Sequence, residues 1–312
     1  MRWERGQRSQ NIEDRRGQAP RGRMRFPGGG GSGLRLPTSR GGRGLSLTSI
    51  VLMLGVAWLL GINPLQMLMG GGGGSSIGVN PDAGGFGGAT GGAAAPPSRT
   101  SASEEELVDF ISWVLDDVQK TWTQKLPGYR DATLVLFRDS TPSACGTGQA
   151  AMGPFYCPGD NKVYIDLSFY DELRERFGAP GDFAQAYVLA HEIGHHIQRL
   201  TGIEEGVRKQ QRSSSKTDAN ELSVRMELQA DCLAGVWAES TASRGVLEAG
   251  DVEEGLKAAA AIGDDRIQKM SGRRVQPDSF THGTSEQRMR WLRRGMELGD
   301  ANQCDTFQVS RL

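Results

Sequence analysis

Two residue types are scarce in this 312-residue chain, and their positions are uneven. Only four histidines occur, and the first 144 residues contain no cysteine. The first 44 residues contain no lysine, and residues 45–62 contain no charged side chain. No second long apolar run follows, which excludes a membrane protein with many spans. At ~100–200 residues per domain, the length allows one or two domains.

The net charge of −1 hides an uneven distribution. Residues 1–44 contain eleven Arg and three acidic residues, a balance of +8. The totals of 36 basic and 37 acidic residues leave 25 against 34 beyond residue 44, a balance of −9. The chain is therefore a basic arm joined to an acidic body. Since the body has the wrong sign for nucleic acid, we expect no nucleic-acid partner, and an arm that binds RNA or anionic lipid is the less favoured alternative.

The uncharged run predicts a membrane anchor at residues 45–66. Its eighteen residues, LSLTSIVLMLGVAWLLGI, approach the ~20 needed to cross a bilayer. A cleaved signal peptide is the alternative, but its apolar core would be ~7–15 residues long and would end at a small-residue cleavage site. Arg residues precede the run, and no Lys or Arg occurs from residue 44 to residue 97. By the positive-inside rule, residues 1–44 become a disordered cytoplasmic arm, and a single crossing places the body outside the cytoplasmic membrane.

Residues 67–102 predict a flexible linker. Twelve of the 44 glycines lie between residues 70 and 92, and large apolar side chains are almost absent from the whole stretch. Such a composition cannot bury enough surface to offset the entropy of ordering the chain. Residues 103–312 then form the single folded domain.

The cysteines agree with export. All four follow the apolar run, and they contain no C-x-x-C pair: Cys145, Cys157, Cys232 and Cys304. An oxidising compartment favours two disulfides with three possible connectivities, of which Cys145–Cys157 is the first choice by proximity, leaving Cys232 with Cys304. A structural zinc site on four cysteines is the weaker alternative, and free buried thiols are another if the topology is different.

The body reads as an α+β domain, mostly helical with a small sheet. An amphipathic helix begins near residue 103, and strands are predicted at 132–137 and 162–166, separated by a loop with two of the cysteines. Helices are expected at 168–177, 182–200, 218–241, 251–270 and 284–298, with a charged loop at 204–217.

The helix at 182–200 contains the motif His191-Glu192-Ile193-Gly194-His195. His191 and His195 lie one turn apart on the same helix face, so their neutral imidazoles can hold one Zn²⁺. Glu192 points about 100° away, beside the metal, where it can act as the catalytic general base. A bare H-E-x-x-H is common, but this one has apolar neighbours and a helical setting.

A catalytic zinc site needs a third protein ligand, and the four histidines of the chain do not include the third His of the metzincin pattern. Glu227 is the candidate, on a second helix. Asp231, four residues later, can accept from a ligand His and fix its tautomer. The alternative is a pair of solvated acids, but their neighbours Met226, Leu228 and Ala230 are apolar.

The H-E-x-x-H helix followed by an E-x-x-x-D helix resembles the gluzincin zinc peptidases. More specifically, the chain resembles the bacterial "putative neutral zinc metallopeptidase" family, membrane-anchored at the N-terminus. The matching segments include NIEDRRG at 11–17, FYCP at 155–158, HEIGHH at 191–196, ELQADCLAGVWA at 227–238 and SFTHGTSEQRMRW at 279–291. The resemblance implies a compact zincin-like fold, one Zn²⁺ per chain and peptide hydrolysis, but no particular substrate.

Three further residues are candidates for supporting roles, and the role of the first is one that the resemblance implies. His282, before the last helix, is a candidate donor to the oxyanion of the reaction, and the alternative is a His hydrogen-bonded locally at a helix start. Tyr164 is a weaker candidate, on a strand that could be a sheet edge pairing with extended substrate. His196 is rotated about 100° from His195 on the helix, so it is expected either to support a ligand residue or to be merely structural.

The sequence thus favours a membrane-tethered zinc endopeptidase acting on peptides or proteins. A scaffold that keeps a zincin fold and binds zinc without proteolysis is the alternative.

Overall fold

The computed structural model describes residues 1–18 and 102–312. The predicted anchor at residues 45–66 and nearly all of the predicted linker lie outside these ranges. Within the described ranges, no helix is both long and apolar enough to cross a membrane.

The described residues form a helix-rich α+β fold with a small sheet, as the sequence predicts. The strands are β1 (Ile12–Asp14), β2 (Thr133–Phe137), β3 (Ser140–Ser143), β4 (Gly146–Gln149), β5 (Phe155–Cys157) and β6 (Lys162–Asp166). The helices are α1 (Ala102–Lys125), α2 (Ser168–Glu175), α3 (Asp182–Leu200), α4 (Ile203–Gln211), α5 (Lys216–Ser243), α6 (Asp251–Ala261), α7 (Asp264–Met270) and α8 (Ser285–Leu298).

The main sheet has the strand order β1-β2-β6-β5. β1, β2 and β6 are parallel, and β5 runs antiparallel to β6. The two central strands are buried except at their first residues, which accounts for their apolar sequences. Tyr164 lies on β6, which is between β2 and β5 in the sheet, so the possibility that its strand is a sheet edge is wrong.

The helical core is built around α3, which packs against α1, α5 and α6, while α8 packs along α5. Glycines allow the closest approaches. A Cβ atom on Gly194 of α3 would lie 2.9 Å from the Cα of Ala230 on α5. At the other crossing, a Cβ on Gly235 of α5 would clash with the backbone of Leu292 on α8. These contacts fix α5 between the helices on either side of it.

The predicted loops differ most from the structure. Residues 203–211 form helix α4 rather than a charged loop, and its one buried side chain, Val207, was too weak an apolar signal to predict it. The loop predicted between the two central strands contains the β3–β4 hairpin and β5. The helix predicted at 251–270 is two helices, because the chain is extended at Gly263, where a Cβ would clash with Ser285.

The expected disordered arm is wrong for residues 1–18, which belong to the same compact unit as the body. β1 pairs in parallel with β2. The amide of Ser9 donates to Ser112 Oγ at 2.6 Å, and the buried guanidinium of Arg16 donates to Glu104 at 2.7 Å. Residues 1–18 are thus held in part by the acidic surface of α1. These contacts join residues 88 to 122 positions apart, so no local pattern predicted them.

This packing also bears on the predicted topology. Residues 1–18 and residues 102–312 contact each other directly in the folded unit. A single crossing between them would place them on opposite sides of a membrane, so the cytoplasmic arm and external body stay a prediction that labelling in cells can test.

Both predicted disulfides are confirmed. Cys145 is bonded to Cys157, with Cα atoms 5.8 Å apart, and Cys232 is bonded to Cys304, with Cα atoms 5.5 Å apart. The first ties the β3–β4 hairpin to β5, and the second ties α5 to the C-terminal segment. No free cysteine is found in the described part of the chain, so the four-cysteine zinc site and the free thiols are wrong.

Candidate metal centre

His191 and His195 lie on one face of α3, as their spacing predicts. Their ring centroids are 4.8 Å apart. His191 is buried and His195 is half-buried. Since the α3 segment around them is almost wholly buried, their positions are set by the packing of a rigid helix rather than by a loop.

Glu227 on α5 faces both histidines. Its carboxylate oxygens lie 3.2 Å from Nε2 of His191 and 3.5 Å from Nε2 of His195. The three side chains form a group whose potential ligand atoms all lie within 4.8 Å of one another. The close crossing of Gly194 and Ala230 brings the two helices near enough for this.

The opposite nitrogen of each ring has a hydrogen-bond partner. Nδ1 of His191 lies 2.8 Å from Asp231 Oδ1, as the sequence predicts. Nδ1 of His195 lies 2.9 Å from Oε1 of Gln198, a partner that the sequence analysis missed although it lies three residues along the same helix. Both partners can accept a hydrogen bond from Nδ1, and the Nε2 atoms of both rings face Glu227.

These residues fit a zinc ion. Two ligand atoms at about 2.0–2.1 Å from a tetrahedral zinc lie about 3.3 Å apart, close to the separations between Glu227 and the two Nε2 atoms. The donor set of two imidazoles and one carboxylate is the set used by many catalytic zinc sites. His191, His195 and Glu227 can therefore hold the ion and leave one position for water or substrate.

The charges of the candidate ligands shift one another's pKa values. Burial raises the pKa of Glu227, but the nearby charges of His195 and His282 outweigh it and hold this pKa well below its usual value. Burial lowers the pKa of His195, but Glu227 outweighs this effect and raises it to about 9. A bound cation would replace the proton shared in this group, since a ligating imidazole must be neutral.

Glu192 is buried beside these residues, with 7% of its surface exposed. Burial raises the pKa of its carboxyl group, an effect that the charges of His195 and His191 only partly offset. Among the described residues, no side chain or backbone group donates a hydrogen bond to the Glu192 carboxylate. A buried carboxylate that keeps its lone pairs available suits a general base.

His282 lies in the loop before α8 and is half-exposed. The loop is held by Asp264, whose Oδ2 accepts hydrogen bonds from the backbone amides of Thr281, His282 and Gly283 at 2.7, 2.6 and 3.1 Å. Nδ1 of His282 lies 3.4 Å from Asp264 Oδ1. His282 is near enough to lower the pKa of Glu227, yet it makes no hydrogen bond to it. His282 therefore lies near the three candidate ligands without being one of them.

Two other residues have different environments. Tyr164 is buried in the sheet, where its hydroxyl donates to Asp160 at 2.7 Å and its ring stacks on Phe155. His196 contacts the hydroxyl of Tyr156 at 2.9 Å and the backbone oxygen of Arg130 at 2.6 Å. Neither is placed with the three candidate ligands.

Arg288 on α8 was missed, although it lies against Asp231. Its Nε and Nη2 donate to the two carboxylate oxygens of Asp231, each at 2.8 Å. One sequence signal could have found it: Arg288 shares the buried face of α8 with Trp291, Leu292 and Gly295. A charged residue at that spacing needs a buried partner.

The chain is similar in sequence to known proteins. The profile of a family described as "Putative neutral zinc metallopeptidase" matches residues 1–307. "Uncharacterized protein YpfJ" of Escherichia coli (strain K12) is 46% identical over 314 residues, covering 99% of this chain and 100% of that protein. "Uncharacterized protein Rv2575" of Mycobacterium tuberculosis is 42% identical over 208 residues, covering 63% of this chain and 69% of that protein. No solved structure matches the chain significantly.

Proposed function

The chain belongs to the putative neutral zinc metallopeptidase family, and we propose that it is a zinc-dependent endopeptidase. The observation that carries the proposal is the convergence of His191, His195 and Glu227 from two helices, with Glu192 buried beside them. The substrate is a peptide or protein.

One zinc ion per chain would be held by Nε2 of each histidine and by the Glu227 carboxylate. When bound, zinc supplies Lewis acidity for the scissile carbonyl and acidifies the attacking water. Asp231 and Gln198 hold the two rings in the tautomer that presents Nε2.

Glu192 moves the proton. Its carboxylate takes one proton from the attacking water while the oxygen of that water forms a bond to the scissile carbonyl carbon. The same carboxyl group then gives the proton to the amide nitrogen as the C–N bond breaks. Glu192 therefore ends the cycle as a carboxylate, and one water is consumed for each bond that is cleaved.

His282 would stabilise the charge that develops on the carbonyl oxygen. Its side chain is half-exposed, it lies near Glu227, and Asp264 fixes the loop that carries it. A donor fixed before the reaction costs little reorganisation when charge develops, so a fixed loop suits this role.

We also propose that residues 45–66 hold the enzyme at the bacterial cytoplasmic membrane, with the folded unit on the extracytoplasmic side. The run contains no charge, and two disulfides are favoured in an oxidising compartment. Both folded parts would then lie on that side.

The test uses the purified full chain, because β1 is part of the fold. We expect about one zinc per chain and cleavage within a peptide library, and we expect Glu192→Gln to abolish cleavage while zinc is retained. Glu205→Gln, on the exposed face of α4, is the matched control and should remain active. Stoichiometric zinc without cleavage would favour the non-proteolytic scaffold, and protein that takes up no zinc would refute the site.

A further inference from the structure

A buried network lies directly behind the candidate zinc ligands. Asp231 has no exposed surface, and its Oδ1 receives three contacts: His191 Nδ1 at 2.8 Å, Arg288 Nη2 at 2.8 Å and the Tyr187 hydroxyl at 2.6 Å. Its Oδ2 accepts from Arg288 Nε at 2.8 Å. Both oxygens of this carboxylate are therefore hydrogen-bonded, and one partner is the ring of a candidate ligand.

We propose that Arg288 is a positioning residue for the zinc site, acting through Asp231 on His191. The inference rests on the proposed zinc site, and it assigns a role to a residue outside the ligands and the general base. The guanidinium grips both oxygens of the carboxylate in a two-bond fork. The orientation of the Asp231 plane, and with it the Nδ1 hydrogen bond of His191, is then set by Arg288.

The geometry explains why arginine occupies this position. A lysine ammonium is a single point of charge and cannot hold both carboxylate oxygens in one plane. The same guanidinium donates to the Tyr187 hydroxyl at 3.2 Å, so one group holds two of the neighbours of His191. Arg288 itself is 1% exposed, and α8 fixes its backbone by packing along α5.

Charge gives a second argument. With Glu192, Glu227 and Asp231 ionised, the site holds three negative charges within a buried region. Arg288, whose Nη2 lies 3.9 Å from Glu227 Oε2, reduces this total to −2. A divalent cation then makes the group neutral. Without Arg288, one carboxylate charge would be left buried and uncompensated, which is costly.

The test separates positioning from a purely structural role. Zinc dissociation constants are measured by chelator competition for the full-length protein and for Arg288→Lys, and melting temperatures are measured on the metal-free proteins. We expect Arg288→Lys to raise the dissociation constant about 10- to 100-fold, the usual loss when a partner of a metal ligand is removed. Arg293→Lys, an exposed position on the same helix, should leave the constant unchanged.

A double-mutant cycle identifies the route. If Arg288 acts through Asp231, Asp231→Asn and the double variant should bind zinc with nearly equal affinity, because the second change removes an interaction already lost. Fully additive losses would overturn the proposed route. A lower metal-free melting temperature with unchanged zinc affinity would show that Arg288 is only structural.

The remaining outcomes are also decisive. If the unaltered protein binds no zinc, the proposed function fails, whereas normal zinc binding with an unaffected Arg288→Lys variant refutes the positioning role alone. Should Arg288→Lys not fold, Asp231→Asn decides: an unchanged zinc affinity in that variant overturns the proposal, since the proposed route from Arg288 to His191 runs through this carboxylate, although Nη2 of Arg288 also lies 3.3 Å from Nδ1 of His191.

Discussion

Gly194 and Ala230 lie in contact where α3 crosses α5, and a Cβ atom on Gly194 would lie 2.9 Å from the Cα and 3.0 Å from the backbone oxygen of Ala230. The two helices that carry the candidate ligands can therefore approach only because position 194 has no side chain. Backbone atoms, unlike the end of a flexible side chain, cannot move aside cheaply.

We predict that Gly194→Ala separates these helices. Overpacking of this kind destabilises a protein by about 1–3 kcal/mol, and the shift should also weaken zinc binding because Glu227 moves away from both histidines. Denaturant unfolding and chelator competition measure the two effects. Gly206→Ala on α4, with no atom within 4 Å of the added Cβ, is the control and should be neutral or stabilising. Equal behaviour of the two variants would contradict the prediction.

The second prediction concerns the loop that carries His282. Asp264→Ala removes the acceptor of three backbone amides, so His282 should lose its fixed position. Removing an oxyanion donor costs about 100- to 1000-fold in kcat, so His282→Ala should show such a loss with zinc content unchanged. Asp264→Ala should show most of the same loss, and the double variant little more. A fully active Asp264→Ala variant would refute the role of this contact.

The ligand helices were predictable because their signals are local. The spacing of His191 and His195 and the spacing of Glu227 and Asp231 each lie within one helical turn, and the apolar neighbours indicate burial. That α3 and α5 lie side by side could be inferred only from the chemistry of zinc, which needs a third ligand. The disulfides were predictable for a similar reason, since few pairings were possible.

What the sequence could not predict depends on contacts between distant residues. β1 is three residues long and mostly polar, and it is a strand because β2 offers an edge more than a hundred residues away. The role of Arg288 likewise depends on how α8 packs on α5. In both cases a charged residue has a partner that no local pattern identifies.

The third prediction compares the two disulfides. Their sequence separations are 72 for Cys232–Cys304 and 12 for Cys145–Cys157. The loss of chain entropy in the unfolded state grows with loop length, so removing the first bond should cost about 4 kcal/mol and removing the second about 3 kcal/mol. Paired Cys→Ser variants and denaturant unfolding measure this. A larger loss of stability on removing Cys145–Cys157 would show that this bond stabilises the β3–β4 hairpin by more than the loss of chain entropy explains.

The fourth prediction is an effect of pH on the N-terminal segment. A hydrogen bond from Lys162 lowers the pKa of Glu13 from 4.5, and one from Arg16 lowers that of Asp14 from 3.8. A carboxyl group with a lowered folded pKa contributes stability that is present above its unfolded value and is lost as pH falls through the folded value.

Amide exchange of β1 should therefore be steady from pH 7 to about pH 5, after correction for intrinsic rates, and should accelerate below about pH 4. The amides of β6, at the centre of the sheet, are the internal control and should stay protected further into acid. Simultaneous loss of protection in β1 and β6 would mean global unfolding rather than release of the segment.

The fifth prediction follows from the contact of residues 1–18 with the body. If this contact exists in the cell, the two segments lie on the same side of the membrane. Single cysteines introduced by Gly6→Cys and Ser213→Cys, both at exposed positions, should react alike with a membrane-impermeant maleimide in intact bacterial cells whose outer barrier has been opened.

Reaction of both before lysis would place the folded unit outside the cytoplasmic membrane, and reaction of both only after lysis would place it inside. Reaction of one without the other would show that the segment and the body are separated by the membrane. The pairing of β1 with β2 could not then exist in the cell, and the positive-inside topology would hold instead.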